Sequence, residues 1–160
     1  MKLYHGSNVA VSEPRILPKI RALDFGQAFY LTSDFEQAKK WAKTSALRRG
    51  EGVPVVSVYE VDDGEFAALR HLRFEKPDSE WLRFVSRNRN ERLDDSNADV
   101  VSGPVANDNT MPVLNLYFKG AYTEEEALRR LLPQNLRDQF AFRTERAFAC
   151  LRFVGSEEVL

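Results

Sequence analysis

This sequence holds one cysteine, Cys150, so no disulfide can form within the chain and no thiolate cluster can bind zinc. It holds two histidines, His5 and His71, in different strand contexts, which leaves no histidine-rich metal constellation. Net charge is only −1, so the chain lacks the overall basic character expected of a nucleic-acid binder. No stretch approaches the roughly 20 apolar residues of a membrane helix, which argues against a membrane partner. The first residues, Met1-Lys2-Leu3-Tyr4-His5, contain no apolar signal run, and with the single cysteine this predicts a cytoplasmic protein. No internal repeat or low-complexity run suggests a solenoid or a long linker. Cys150 lies among Phe148 and Leu151 with no base beside it and reads as a small buried apolar residue.

What is present suits one globular domain over 1–160: 43% hydrophobic and 29% charged residues, with short strands and helices alternating. Leu3 to His5, Phe29 to Thr32, Val53 to Val61, Leu72 to Glu75, Asp99 to Ser102, Gln139 to Phe142 and Leu151 to Val154 read as strands. Val53 to Val61 is β-branched and the strongest of them. Ser33 with Glu36 three residues later predicts a capped helix, with Phe35, Ala38, Trp41 and Ala42 on one face and Gly50 ending it. Pro77-Asp78 opens a helix to about Arg89, Thr123 caps another, and Thr144 caps a short helix containing Ala147 and Phe148. Asp62-Asp63-Gly64 reads as a turn, Gly103-Pro104 as a bend, and Asn107 or Asp108 as the cap of the next helix. The segments 8–21, with Arg15, Lys19 and Arg21, and 88–97 read as loops. This pattern fits an α+β fold.

Two stretches carry polar aromatic groups inside apolar strands. His5 follows Leu3-Tyr4 and precedes Gly6-Ser7. Tyr30 lies between Phe29 and Leu31, downstream of Phe25-Gly26. A histidine at a strand end, followed by glycine, can offer a ring nitrogen and bare backbone amides to a ligand. A tyrosine on a neighbouring strand can supply a stacking face, so the pair would suit a flat heterocycle bearing an amide. Each residue alone would more simply be a hydrogen-bonded core residue.

The runs LYHGS from Leu3, DFGQAFYLTS from Asp24, the helix with Gln37-Ala38 and Trp41-Ala42, GPVANDNT from Gly103 and DQFAFRTERA from Asp138 together resemble the bacterial DUF3990 family. That family is similar to ADP-ribosyltransferases of the diphtheria-toxin and PARP type. The resemblance implies an ADP-ribosyltransferase-like fold: two small mixed β-sheets split around a cleft, with flanking helices. It implies NAD⁺ as cosubstrate and places the family's His-Tyr-Glu signature on His5, Tyr30 and Gln139. It assigns NAD contacts to His5, Gly6, Ser7, Phe25, Gly26, Tyr30 and Asn107. It further implies transfer to a protein or nucleic-acid acceptor by a toxin, with an antitoxin protein as its partner.

Gln139 departs from the signature glutamate. Its amide oxygen can accept a hydrogen bond but carries no charge and cannot act as a base. Glu145 is the other nearby carboxylate, at the start of the following helix, where the helix dipole already favours it. The departure keeps open two further readings, an NAD⁺ glycohydrolase and a catalytically silent NAD- or ADP-ribose-binding module. An RNA 2′-phosphotransferase is disfavoured by the near-neutral charge.

Overall fold

The computed structural model describes residues 1–17, 23–91 and 96–160. Lys19, Arg21 and the centre of the 88–97 segment, read above as loop, lie outside the described residues. The described chain is α+β, with two β-sheets and six α-helices.

The β-branched run at Val55–Val61 becomes β3, the central strand of a three-stranded antiparallel sheet between β1 (Lys2–Ser7) and β7 (Leu151–Glu158). A bulge between Val58 and Tyr59 lets β7 run on to Glu158, past the end read at Val154. The second sheet has the order β2 (Phe29–Leu31), β6 (Asp138–Phe142), β5 (Val100–Pro104), β4 (His71–Arg73). Only β4 and β5 run parallel.

Strand alternation assigns the faces. Leu3, Tyr59 and Val61 of the first sheet meet Phe29, Leu31, Val100 and Phe142 of the second in one shared core. The outer face of the second sheet, with Val101 and Ala141, is covered by Trp81, Leu82 and Val85 of α3 (Ser79–Ser86), Leu114 of α4 (Met111–Phe118), and Ala127 and Leu131 of α5 (Glu124–Leu131). The outer face of the first sheet is covered by Ala38 and Ala42 of α1 (Phe35–Arg49). The layers are therefore helix, sheet, sheet, helices.

Several local readings shift, each for a visible reason. Ser33 does not cap α1, because its N–H (2.9 Å) and hydroxyl both donate to the Asp138 carboxylate. Asp34 caps instead, accepting from the Gln37 N–H at 3.0 Å. Asp62 likewise accepts from the Glu65 N–H at 2.9 Å, so the expected turn becomes a short helix, α2 (Asp63–Ala67). Gly103-Pro104 is not a bend but the end of β5, opposite Gln139 and Asp138. Pro104 lies beyond the last β4 pairing at Ser102, where its missing N–H forfeits no ladder bond. Thr123 and Thr144 cap α5 and α6 (Glu145–Phe148), and Gly50 ends α1 in the left-handed region, as expected.

Candidate functional site

The two sheets touch along β1 and β2, and this seam brings together His5, Gly6 and the Tyr30 backbone. The Tyr30 ring and Gln139 instead face the helix-covered side of the second sheet, and Asn107 lies in a turn before α4. Tyr4 and Thr32 exchange both backbone hydrogen bonds, at 2.8 and 2.9 Å. An antiparallel ladder would continue with Gly6 bonded to Tyr30 two residues on. Among the described residues no such backbone bond forms, and the pairing stops at a single bridge. Instead the His5 ring enters the opening, and its Nδ1 lies 2.7 Å from the Tyr30 carbonyl oxygen. A carbonyl only accepts, so Nδ1 carries a proton and donates it in this bond. The imidazole stacks on Phe29, with centroids 4.2 Å apart and planes 24° apart.

Strand alternation sends the N–H and C=O of Gly6 in the same direction as those of Tyr4, toward β2 and away from β3. The face on which Gly6 lacks a side chain belongs to α1. A Cβ there would lie 2.1 Å from the Ala38 carbonyl oxygen and 2.7 Å from the Ala42 nitrogen. The glycine therefore permits close helix–sheet packing, and its edge amide, rather than its face, is what the seam presents. Trp41, read from its helical spacing as a core residue, lies beside this position and is half-exposed. Ser7 is buried, and its hydroxyl donates to Asn8 Oδ1 at 3.3 Å.

Tyr30 links the seam to the outer face of the second sheet. Its backbone carbonyl holds His5, while its ring joins the core under the helices. The hydroxyl donates to the Gly26 carbonyl at 2.7 Å and accepts from the Phe25 N–H at 3.1 Å, clamping the turn that precedes β2. Burial, and then the nearby Asp24 carboxylate, push this phenol well above the usual tyrosine range, so it stays protonated. Gly26 takes a φ of 79°, in the region that favours glycine. Phe25 is fully buried against Phe74 and Phe84.

Gln139 projects to the same outer face, and at 3% exposure it is enclosed. Its Nε2 donates to Asp24 Oδ2 at 3.1 Å and to the Pro104 carbonyl at 3.4 Å. Both partners only accept, which fixes the amide orientation and leaves Oε1 as the group not committed to them. Asn107 forms a local turn, where its Oδ1 accepts from the N–H groups of Asn109 (2.9 Å) and Thr110 (3.0 Å) before α4. Glu145 is exposed in the first turn of α6.

Asp24 is the residue that motif reading overlooked. It is 5% exposed. Arg89 Nε lies 2.5 Å from Oδ1, and the Ala106 N–H approaches Oδ2 at 3.5 Å in addition to the Gln139 contact. One buried carboxylate thus joins the stretches at 24–26, 103–107 and 138–142. Arg89 comes from a π-helical turn (Arg87–Glu91) that extends α3. No local pattern could have paired residues 65 positions apart.

The seam presents the Gly6 backbone edge beside a His5 ring held by Tyr30 and Phe29. On the far face of the second sheet, position 139 carries an amide and not a carboxylate. A family model described as "Protein of unknown function (DUF3990)" matches residues 1–153. No curated protein and no solved structure matches the chain. With nearly its whole length matched, the chain belongs to the DUF3990 family.

Proposed function

We propose that the protein is a mono-ADP-ribosyltransferase that uses NAD⁺ to modify a macromolecular target, acting as the toxin of a bacterial toxin–antitoxin pair. The observation that carries the reading is the broken ladder at the seam, where His5 takes the place of a strand bond and Gly6 turns its N–H and C=O toward the gap.

In the reaction the glycosidic bond between nicotinamide and ribose breaks. Its electron pair leaves on the nicotinamide, and an acceptor nucleophile bonds to the ribose carbon and releases its proton to solvent. Gly6 would hold the carboxamide of the leaving ring through its backbone. His5 would bond a ribose hydroxyl. Tyr30 would hold His5 through its backbone carbonyl and the Phe25–Gly26 turn through its hydroxyl. Gln139 Oε1, oriented by the two bonds made by Nε2, would accept from the ribose 2′-hydroxyl. A neutral amide stabilises a developing cation less than a carboxylate does and cannot take a proton. The acceptor is therefore one that needs little activation.

The enclosure of Gln139 favours one second reading, an NAD- or ADP-ribose-binding module without turnover. Incubating purified protein with NAD⁺, with and without cell lysate, separates the two. Nicotinamide release and ADP-ribose incorporation are followed by mass spectrometry. Transfer predicts labelled macromolecule that is lost in His5→Ala and Gln139→Ala and retained in Glu145→Ala. Free ADP-ribose without labelled target would mean hydrolysis. Binding without release would mean the silent module, and no binding at all would overturn both readings.

A further inference from the structure

We infer that the inner face of β4, β5 and β6 carries a second small-molecule site, suited to a nucleoside 5′-monophosphate. A cavity of about 450 Å³ opens there, lined by Phe66, His71, Arg73, Glu75, Ser102 and Phe140 among others. That volume lies within the range of roughly 300–1,000 Å³ typical of small-molecule sites. Strand alternation places His71, Arg73, Ser102 and Phe140 on this face and Gln139, Ala141 and Leu72 on the other, so the sheet separates the cavity from the Tyr30 and Gln139 side chains.

The lining groups divide by chemistry. The Arg73 residue is exposed, and its guanidinium has no hydrogen bond or ion pair among the described residues. Other cations and anions at the rim are already matched. Arg137 pairs with Asp34 at 2.8 Å, and the Asp138 carboxylate accepts from Thr32 Oγ1 and from the N–H and hydroxyl of Ser33. Beside Arg73, His71 Nε2 lies 2.6 Å from the buried Ser102 hydroxyl. Burial first, and then the Arg73 charge, hold the imidazole below its ordinary pKa, which favours its neutral form and leaves the Arg73 guanidinium as the cation of this wall. An unpaired guanidinium with a hydroxyl and an imidazole nearby suits a phosphate monoester.

The floor is aromatic. Phe66 meets the His71 ring edge-on at 5.0 Å, and Phe140 lies 6.4 Å from it. A flat base can lie against these rings. Glu75, also exposed and unpaired among the described residues, can accept from a ribose diol or an exocyclic amine. A phosphate, a flat ring and hydrogen-bond donors between them are the parts of one nucleotide.

Because the chain has only two histidines, imidazole NMR resonances report each site separately. The full chain is titrated with AMP and with GMP, alongside adenosine and inorganic phosphate. The expected result is that at least one nucleotide shifts the His71 resonances and leaves those of His5 in place. Arg73→Ala, an exposed substitution, should weaken that binding at least about tenfold, as loss of a charge-assisted pair implies. Glu75→Gln should weaken it less. The inference is overturned if neither nucleotide moves His71. It is also overturned if Arg73→Ala binds equally well, or if inorganic phosphate alone matches the nucleotide at the same concentration.

Discussion

Replacing Gly6 with alanine tests whether this glycine serves helix packing, independently of any ligand. The added methyl would lie 2.1 Å from the Ala38 carbonyl oxygen and 2.7 Å from the Ala42 nitrogen. Non-bonded carbon contacts are comfortable at about 3.5 Å, so α1 would have to retreat by more than about 1 Å along its contact with β1. Both obstacles are backbone atoms in mid-helix, and no rotamer change relieves them. Overpacking of this kind costs about 1–3 kcal/mol, and the rigidity of the site argues for the upper end. For a chain of this size, about 3 kcal/mol corresponds to a fall in Tm of roughly 6–12 °C. Thermal unfolding followed by circular dichroism measures it. Gly50→Ala is the comparison: a methyl there meets nothing within 4 Å, but φ is 68°, so about 1 kcal/mol of backbone strain is expected. A Gly6→Ala protein that melts within about 2 °C of wild type would refute the packing argument, since that shift is under about 1 kcal/mol. If the argument holds, lost activity in Gly6→Ala reflects a displaced helix as much as a lost ligand contact.

Other expectations follow from buried polar groups. Asp24→Ala strips the partner from Arg89 and Gln139 together and should cost about 3 kcal/mol or more in denaturant unfolding. Gln139→Ala leaves the Asp24–Arg89 pair intact and should cost clearly less; equal losses would mean that Asp24 does not organise the cluster. Burial alone would raise the Asp99 pKa. The N–H of Arg70, the Thr144 hydroxyl and the Arg70 guanidinium more than offset it, so the folded value lies below the ordinary one. The carboxylate's contribution is therefore present above about pH 4 and is lost as pH falls through the lower folded value. Asp99→Asn should be less stable at neutral pH and flatter below about pH 4 in a pH series of melts. Cys150 is buried, and burial followed by the nearby Glu65 raises its thiol pKa. It should resist a thiol-specific reagent in the native protein and react fully in denaturant; rapid native reaction would contradict the burial.

Much of the architecture was legible along the chain because local physics dictates it. The β-branched run at Val55–Val61 could only be a buried strand. Thr123 and Thr144 have helix-start sequences after them, and Gly50 follows a long polar helix. His5-Gly6 and Tyr30 could be singled out from their neighbours alone. The exact caps and ends were less legible where a distant group competes for the same atoms: Ser33 loses its capping role to Asp138, 105 positions away. Only the tertiary structure decided how the motif residues are used. Strand alternation put Gln139 on the helix-covered face and Phe140 on the shared core. The approach of α1, not a local turn, explains Gly6. Asp24 became the centre of a buried cluster only when Arg89 and Gln139 were folded onto it. A hydrogen bond or ion pair across the fold depends on which surfaces meet, and no pattern of neighbours along the chain encodes that meeting.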